Sequence, residues 1–245
     1  MSAEPRGGDF YDDAVTARYL VHRHAGAASP NVVMEEPAVL AHLGDLTDLR
    51  VVDLGCGDGT FAEVVLARGA RMYLGIDGSA AMIDTARKLA PHPLARFELG
   101  TIEDFRPGPE TADLVTSRMA LHYLRDLSAT IRSIRQALVP GGRMLFTVVH
   151  PVITSHDNQV PGRRTNWTVD DYFETGERHR SWFGAEVTWH HRTVEQYLSA
   201  VLEAGFTLEA VSECEPDRRR FSNAPDELAR RRRVPLVLLV SARRR

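Results

Sequence analysis

A short glycine loop that carries two carboxylates is the part of this 245-residue chain whose residue types point most directly to chemistry. Residues 51–59 read VVDLGCGDG, an apolar run that ends in three alternating glycines. Glycine lets the backbone turn sharply and lets a ligand approach the peptide planes closely. Asp53 lies two residues before the first of these glycines, and Asp58 lies inside the loop. The segment is therefore predicted to bind a ligand between a strand and a helix.

The charge on the loop indicates which class of ligand it binds. Two ligand classes use glycine loops of this kind, dinucleotides and S-adenosylmethionine. A diphosphate favours bare N–H groups at a helix N-terminus, and the carboxylates of Asp53 and Asp58 would repel it. The same carboxylates attract a ligand that carries an ammonium and a sulfonium. The Gly-x-Gly-x-Gly spacing also differs from the dinucleotide fingerprint Gly-x-Gly-x-x-Gly, so the loop favours S-adenosylmethionine.

Two later segments predict contacts with an adenosine. Asp77 follows Gly57 by 20 residues and ends the second predicted strand, where a carboxylate accepts hydrogen bonds from both ribose hydroxyls. Dinucleotide sites share this feature, and the alternative is that Asp77 only caps the helix that starts near Ser79. After the third strand, Ile102 and Glu103 suit an adenine, because the aliphatic side chain covers the ring and the carboxylate accepts from the amino group.

Strands that alternate with helices are predicted to position these segments. The predicted strands are Arg50–Leu54, Met72–Ile76, Arg96–Leu99, Ala112–Ser117, Arg143–Val149, Phe206–Ser212 and Leu236–Ser241. The predicted helices are Asp12–His22, Glu36–Leu43, Thr60–Arg68, Ser79–Leu89, Leu127–Leu138 and Thr193–Glu203. This alternation predicts an α/β fold with a mostly parallel sheet and helices on both faces. Such sheets bind ligands beyond the carboxyl ends of their strands, which is where the polar segments lie.

Five segments in this order resemble the class I S-adenosylmethionine-dependent methyltransferases: VVDLGCGDG, GIDGSAAMIDTAR, GTIEDF, ADLVTSRMALHYL and LVPGGRMLFTVVHP. The resemblance covers about residues 11–245. Within this class, the chain more specifically resembles small-molecule enzymes of the Methyltransf_11 or ubiquinone-biosynthesis type. It implies a Rossmann-like seven-stranded sheet with one antiparallel strand. It also implies a single domain, 1–245. Its parts are an N-terminal helical lid (10–45), a cofactor-binding core (46–150), an acceptor-lid insert after the fifth strand (151–192) and a C-terminal helix and strands (193–245).

The resemblance also implies roles for individual residues toward S-adenosylmethionine and its product S-adenosylhomocysteine. Gly55 and Gly57 approach the methionine part, while Asp53 orders the loop and faces the amino group. Asp77 takes the ribose. The other residues expected to bind the cofactor are Ile102 and Glu103 at the adenine, Ser117 (through its carbonyl) and Met119 beside the methionine, Tyr11 and Tyr19 in the lid, and Gly78, Ser79 and Met82.

The insert and two histidines are predicted to serve the acceptor. Residues 151–192 contain all three tryptophans, and so long an excursion between a strand and a helix is usually functional. The residues expected to bind the acceptor are Tyr123, Trp167, Tyr172, Trp182 and His191. His150 and His122 are the candidates for a general base, since their intrinsic pKa suits proton transfer. The alternative for both is a structural role, in which the ring bonds the backbone and positions a loop.

Composition limits the other function classes. Two cysteines and the absence of a long apolar run or an apolar leader predict a cytoplasmic protein without membrane contact. A monomer or homodimer is expected. The histidines lack metal-ligand spacing, so no metal is expected. The net charge is −3, yet residues 216–245 hold ten arginines against three acidic residues. A tRNA or protein methyltransferase therefore stays open as an alternative, as does a non-methylating user of the same cofactor such as a cyclase.

Overall fold

The central feature of the fold is a seven-stranded sheet of order β3-β2-β1-β4-β5-β9-β8. The computed structural model describes residues 13–23, 29–155, 166–182 and 185–245. The strands of this sheet are β1 (Arg50–Leu54), β2 (Met72–Asp77), β3 (Ala95–Leu99), β4 (Ala112–Arg118), β5 (Leu138–Val149), β8 (Phe206–Ser212) and β9 (Val237–Arg244). Strand β9 runs antiparallel to both β5 and β8, and the pairs among β1 to β5 are parallel. The predicted sheet with one antiparallel strand is confirmed.

Helices cover both faces of the sheet. They are α1 (Asp13–Arg23), α2 (Glu36–Leu43), α3 (Phe61–Leu66), α4 (Ala80–Leu89), α5 (Leu127–Ala137), α6 (Pro151–Thr154), α7 (Val194–Glu203) and α8 (Pro225–Arg231). A π-helical turn at Asn31–Glu35 precedes α2, and 3₁₀ turns occupy Leu121–Tyr123 and Arg218–Phe221. Two apolar cores result, one on each face. Strands buried on both faces are continuous apolar runs, which is why β1 and β4 were readable from the sequence.

The sheet places the polar segments at one edge. Strands β1, β2 and β4 end at Leu54, Asp77 and Arg118, and their parallel pairing brings these carboxyl ends side by side. The loops that follow them therefore converge, as expected for a sheet of this kind.

The insert contains a hairpin that the sequence analysis did not predict. Strands β6 (Gly176–Trp182) and β7 (Ala185–His191) pair antiparallel in a separate two-stranded sheet. Only β7 carried a signal, an alternation in which Val187, Trp189 and His191 are buried between more exposed neighbours. Strand β6 reads GERHRSW and lacks an apolar face that would mark it.

Two smaller differences from the prediction are an earlier start of β5 and an additional helix, α8. Strand β5 begins at Leu138 rather than Arg143, since residues 140–142 continue the strand instead of separating it from α5 as a turn. Helix α8 was not predicted, because its sequence PDELARR has a single large apolar residue. Within the described ranges, no helix combines the length and the apolar composition needed to span a bilayer.

Candidate functional site

The glycine loop between β1 and α3 adopts a backbone that demands glycine at several positions. Gly55, Gly57 and Gly59 have φ angles of 74°, 55° and 72°, in the left-handed region that other residues rarely adopt. The N–H groups of Gly55 and Cys56 both donate to the carbonyl of Ile76, at 2.8 and 3.1 Å. A Cβ on Gly55 would stand 2.5 Å from the Cβ of Ala120, whereas a Cβ on Gly57 would meet no atom within 4 Å. The loop is thus pinned to the end of β2 and is open at Gly57.

Asp77 links this loop to the helix that follows β2. Its Oδ2 accepts a hydrogen bond from the Gly57 N–H at 2.9 Å, and its Oδ1 accepts from the Ser79 N–H at 2.9 Å. The cap of α4 is Ser79, whose hydroxyl accepts from the Met82 N–H at 3.2 Å. Burial raises the pKa of Asp77, while the two backbone hydrogen bonds oppose that rise. The carboxylate is therefore held rigidly at the open side of the loop.

The loops at the carboxyl ends of β1, β2, β3 and β4 enclose one cavity, here called the loop cavity. Its lining comprises Tyr19, Gly55, Gly57, Asp77, Gly78, Met82, Thr101, Ile102, Glu103, Arg118, Met119, Ala120, Tyr123 and Leu124. Nine residues expected to bind the cofactor and one expected to bind the acceptor, Tyr123, are therefore brought together here. The residues fit an adenosine, since a carboxylate at the end of β2 faces a cavity that also presents the buried, apolar Ile102 beside Glu103.

A smaller polar chamber, here called the ionic chamber, adjoins the loop cavity. It shares Tyr19, Gly55, Gly57, Arg118 and Met119 with that cavity. Its further lining residues are Asn31, Glu35, Asp53, Cys56, Asp58, Thr60 and Phe61. The three carboxylates and one guanidinium of this set make it the most highly charged part of the site.

Asp53 is buried at the floor of the ionic chamber, where it joins three strands. Its side chain is 2% exposed. Oδ2 accepts from the Tyr73 hydroxyl on β2 at 2.6 Å, and Oδ1 accepts from the Thr116 hydroxyl on β4 at 2.7 Å. Burial raises the pKa of Asp53, and these two hydrogen bonds limit that rise. The carboxylate thus fixes the end of β1, where the glycine loop begins.

Glu35 and Arg118 form a buried ion pair that the sequence analysis missed. The Arg118 Nε donates to Glu35 Oε1 at 2.8 Å, and the side chains are 10% and 1% exposed. Burial alone would lower the pKa of Arg118, but the Glu35 carboxylate overrides it and raises the pKa further above its ordinary value. The available signal was a charged residue inside an apolar stretch at each position, VVMEE and LVTSRM, without any indication that the two would meet.

The described lining of the two cavities does not include Ser79 or Ser117, which were also expected at the cofactor. The Ser117 hydroxyl donates to the carbonyl of Leu54 at 2.8 Å, and Ser117 lines neither cavity. Ser79 lies just behind the lining as the cap of α4. Tyr11 lies outside the described residues.

His150 directly follows β5, and both of its ring nitrogens are engaged. Its Nδ1 accepts from the Val152 N–H at 3.2 Å and caps α6, while Nε2 lies 3.1 Å from Glu213 Oε1. Burial lowers the pKa of His150, and the Glu213 carboxylate partly offsets that change. His150 lines neither the loop cavity nor the ionic chamber. These contacts match the structural alternative for this residue.

His122 lies directly behind the loop cavity, in the turn that carries Tyr123. Its ring is 4.4 Å from the ring of Tyr123 and 5.6 Å from that of Trp189, centroid to centroid. The side chain is buried, and Nδ1 has no hydrogen-bond partner among the described residues. Burial, assisted by the charge of Arg192, lowers the pKa of His122 to about 3. The imidazole is therefore neutral at physiological pH.

The low pKa of His122 predicts a loss of stability in mild acid. The pKa of a histidine in the unfolded chain is near 6.5, so in mild acid the unfolded state binds a proton that folded His122 does not bind until about pH 3. Stability from this group is therefore complete above pH 6.5 and falls as the pH drops, by about 2 kcal/mol between pH 7.5 and 5. We expect His122→Gln to remove that component, as urea unfolding at both pH values will show. The exposed His92→Gln variant should show the same change in unfolding free energy between the two pH values as the wild type. An equal change in all three proteins would contradict the assignment of this component to His122.

The residues expected at the acceptor are only partly brought to the site. His191 is buried with both nitrogens engaged, Nδ1 at 2.5 Å from the Thr154 hydroxyl and Nε2 at 2.9 Å from the carbonyl of Tyr172. It lines another cavity of about 570 Å³, between α5, α7 and the hairpin. The Tyr172 hydroxyl accepts from the Val194 N–H at 3.1 Å. Trp167 is half-buried and lines neither site cavity, and the side chain of Trp182 lies outside the described part.

Trp189 is the tryptophan that packs beside the loop cavity, and the sequence analysis did not select it. It forms an apolar cluster with Val149 and Val187, against which Met119, Tyr123 and Ile153 pack. Because Met119 and Tyr123 also line the loop cavity, this cluster forms the wall next to it. The alternation along β7 was the signal that could have identified Trp189 as inward-facing.

The fold and the site define a class of protein, an α/β domain that binds an adenosine-containing cofactor at the carboxyl edge of its sheet. Residues 22–211 match the Methyltransf_23 family model, described as a methyltransferase domain. The chain belongs to this family of methyltransferases. A crystal structure of an S-adenosylmethionine-dependent methyltransferase from Mesorhizobium loti is 37% identical, with a TM-score of 0.78 over 86% of this chain and 97% of that one.

Two curated methyltransferases of known substrate match over shorter segments. A trans-aconitate 2-methyltransferase from Variovorax paradoxus is 39% identical over 38% of this chain and 36% of its own. A ubiquinone biosynthesis O-methyltransferase from Neisseria meningitidis is 32% identical over 43% of this chain and 46% of its own. The chain thus spans less than half the length of these two relatives. Together with the family match, they confirm an S-adenosylmethionine-dependent methyltransferase whose cofactor is S-adenosylmethionine and whose product is S-adenosylhomocysteine.

Proposed function

We propose that the protein transfers the methyl group of S-adenosylmethionine to a small-molecule acceptor, at an oxygen, nitrogen or carbon atom, in specialised or cofactor metabolism. The observation that carries this proposal is the wall shared by the loop cavity and the Trp189 cluster. Met119 and Tyr123 line the loop cavity together with the cofactor residues, and they also pack against the Trp189 cluster. Apolar and aromatic walls of this kind exclude water and bind small organic molecules.

In this proposal, different residues at the loop cavity bind different parts of the cofactor. Asp77 accepts from the ribose hydroxyls, and Ile102 with Glu103 holds the adenine. Gly55 and Gly57 bring the backbone against the methionine part, with the Ser117 carbonyl and Met119 beside it. Gly78, Ser79 and Met82 form the wall at the start of α4, and Tyr19 closes the N-terminal side as part of a lid. The same role is proposed for Tyr11, which lies outside the described residues. The position of Tyr19 in the lining of both cavities supports this arrangement.

The protein's contribution to the reaction is orientation in a dry site. When bound, the cofactor supplies a methyl group that its sulfonium has already activated. The residues around Met119 and Tyr123 hold the acceptor in line with that methyl group, which is where most of the rate enhancement arises. Trp167, Tyr172, Trp182 and His191 belong to the insert that covers the acceptor, with Tyr172 and His191 stabilising the insert through their hydrogen bonds.

Of the two histidines proposed as bases, His122 is better placed than His150. It adjoins Tyr123 of the loop cavity and makes no hydrogen bond through Nδ1 among the described residues, whereas both nitrogens of His150 are engaged. A neutral imidazole accepts a hydrogen bond from an acceptor hydroxyl, but a pKa of about 3 makes it a weak proton acceptor. Since His122 is buried and lines neither cavity itself, in this proposal it acts as a positioning residue that holds the ring of Tyr123 at the cavity.

The C-terminal arginines do not favour the nucleic-acid alternative. Eight of the ten between residues 216 and 245 lie within 4.0 Å of a carboxylate oxygen. Glu227, for example, pairs with both Arg230 and Arg231. Binding to phosphates needs basic side chains that are available to replace counterions, and most of these are already neutralised.

The experiment that tests the proposal is a methyl-transfer screen with labelled S-adenosylmethionine. A library of small organic acids, phenols and amines is offered in one arm, and bulk tRNA and a mixed protein substrate in two others. We expect label in at least one small molecule, and a loss of that transfer with Asp77→Ala. Label in tRNA or protein alone would contradict a small-molecule acceptor, and cofactor turnover without any methylated product would favour the non-methylating alternative.

A further inference from the structure

The Glu35–Arg118 ion pair has no role in the assignments above, although it lies at the centre of the site. Both side chains are buried, with 1% of Glu35 and 10% of Arg118 exposed. Taking the two charges out of water costs roughly several kcal/mol, which their mutual attraction must offset. Apolar residues of similar volume at such positions often stabilise a protein equally well. A buried ion pair that borders a cavity is therefore better explained by what it binds than by what it stabilises.

Contacts from several elements hold this ion pair in place. The Thr147 hydroxyl on β5 donates to Glu35 Oε1 at 3.1 Å and accepts from the Met119 N–H at 3.0 Å. Met119 itself has a φ of 54°, a conformation that costs free energy in a non-glycine residue and is concentrated at functional sites. The Arg118 guanidinium lies 4.4 Å from the centroid of the Phe61 ring on α3. The pair is thus preorganised by β4, β5, α3 and the turn before α2.

The Arg118 guanidinium uses only part of its hydrogen-bonding capacity. Arg118 donates to Glu35 through Nε and Nη2, and Nη1 makes no hydrogen bond with any described residue. Arg118 lines both the loop cavity and the ionic chamber, so it borders the space where they meet. A guanidinium presents donors on more than one edge, and an edge left over at a cavity suits a second carboxylate.

The charges of the ionic chamber match one part of the cofactor. Its described lining holds the acidic side chains of Glu35, Asp53 and Asp58, and Arg118 is the single basic side chain there. The amino-acid end of S-adenosylmethionine is a zwitterion, with an ammonium and a carboxylate on the same carbon. Arg118 is the group in this lining that can attract the carboxylate, and the carboxylates around it can attract the ammonium.

We propose that the Glu35–Arg118 ion pair is the receptor for the amino-acid end of the cofactor, an inference that rests on the proposed placement of the adenosine in the loop cavity. Arg118 binds the carboxylate through the edge that carries Nη1. Glu35 holds the guanidinium in that orientation and contributes negative charge toward the ammonium. Since Glu35 lies in the turn before α2, the contact also ties the N-terminal segment to the bound cofactor.

The test compares two ligands that share the thioether and the adenosine but differ in the amino-acid end. S-adenosylhomocysteine has this end, and 5′-methylthioadenosine lacks it. Isothermal titration calorimetry of the wild type should show tighter binding of S-adenosylhomocysteine. We expect Arg118→Met and Glu35→Gln to weaken that ligand by about ten- to a hundredfold, the effect of losing a hydrogen bond to a charged group, and to leave methylthioadenosine within about twofold.

Two further variants keep the test decisive if a lone buried charge prevents folding. The double variant Arg118→Met/Glu35→Gln removes both charges, and Arg118→Lys keeps the charge but loses the planar fork. The proposal expects the preference for S-adenosylhomocysteine to fall by about ten- to a hundredfold in the double variant, and by a smaller factor in Arg118→Lys. A folded double variant that keeps the wild-type preference overturns it. A wild type that binds both ligands equally overturns it too, while binding of neither ligand would overturn the placement of the cofactor itself.

Discussion

Replacing Asp77 by alanine should abolish measurable binding of S-adenosylmethionine and S-adenosylhomocysteine. The carboxylate lies at the open side of the glycine loop, fixed by the N–H groups of Gly57 and Ser79. Hydrogen bonds to a charged group contribute about 1.5–3 kcal/mol each, so losing two ribose contacts weakens binding by at least about a hundredfold. Calorimetry with S-adenosylhomocysteine measures this directly.

Two variants separate the ribose contact from a general loss of structure. Asp77→Asn keeps one acceptor oxygen and should weaken the cofactor by a smaller factor than alanine does. Asp84→Ala removes an exposed carboxylate on α4, outside the loop cavity, and should leave the affinity unchanged. Wild-type affinity in a folded Asp77→Ala protein would show that the ribose is bound elsewhere.

Replacing Gly57 by valine should also abolish cofactor binding, for a steric reason. A Cβ at this position meets no protein atom within 4 Å, and the residue lines both cavities, so the valine side chain would occupy the space meant for the cofactor. The left-handed φ of 55° adds strain of about 1–2 kcal/mol for any residue with a Cβ. Calorimetry reports the binding, and thermal unfolding reports the strain.

Gly141 provides the matched control for that strain. It has a φ of 77° and likewise no atom within 4 Å of an added Cβ, but it lies in β5 away from the glycine loop. Gly141→Val should lower stability by a similar amount and bind S-adenosylhomocysteine like the wild type. If Gly57→Val retained wild-type affinity, the loop cavity would not be where the cofactor binds.

Local sequence signals were sufficient for the parallel sheet and the glycine loop. Strands such as β1 and β4 are short apolar runs, and the glycines, Asp77 and Ile102 follow such runs directly, so strand order alone brings them to one edge. The predicted α/β fold with seven strands and the predicted cofactor are confirmed. The individual roles of the site residues stay predictions.

The features that the sequence did not reveal depend on contacts between distant residues. Glu35 and Arg118 are 83 residues apart, and nothing in either segment indicates that their side chains meet. The low pKa of His122 arises from burial and from the charge of Arg192, and one of the rings that contact His122 is Trp189 of the unpredicted hairpin. His150 is suited to proton transfer by its residue type, but the fold engages its two nitrogens with Val152 and Glu213.

Calorimetric titration of the wild-type protein with S-adenosylhomocysteine and, in parallel, with NAD is the most direct test of the central claim. The glycine loop is bordered by carboxylates, so it should bind S-adenosylhomocysteine and repel the diphosphate of NAD. We predict saturable, one-to-one binding of S-adenosylhomocysteine and no heat of binding with NAD at the same concentrations. Binding of NAD, or the absence of binding with S-adenosylhomocysteine, would contradict the account.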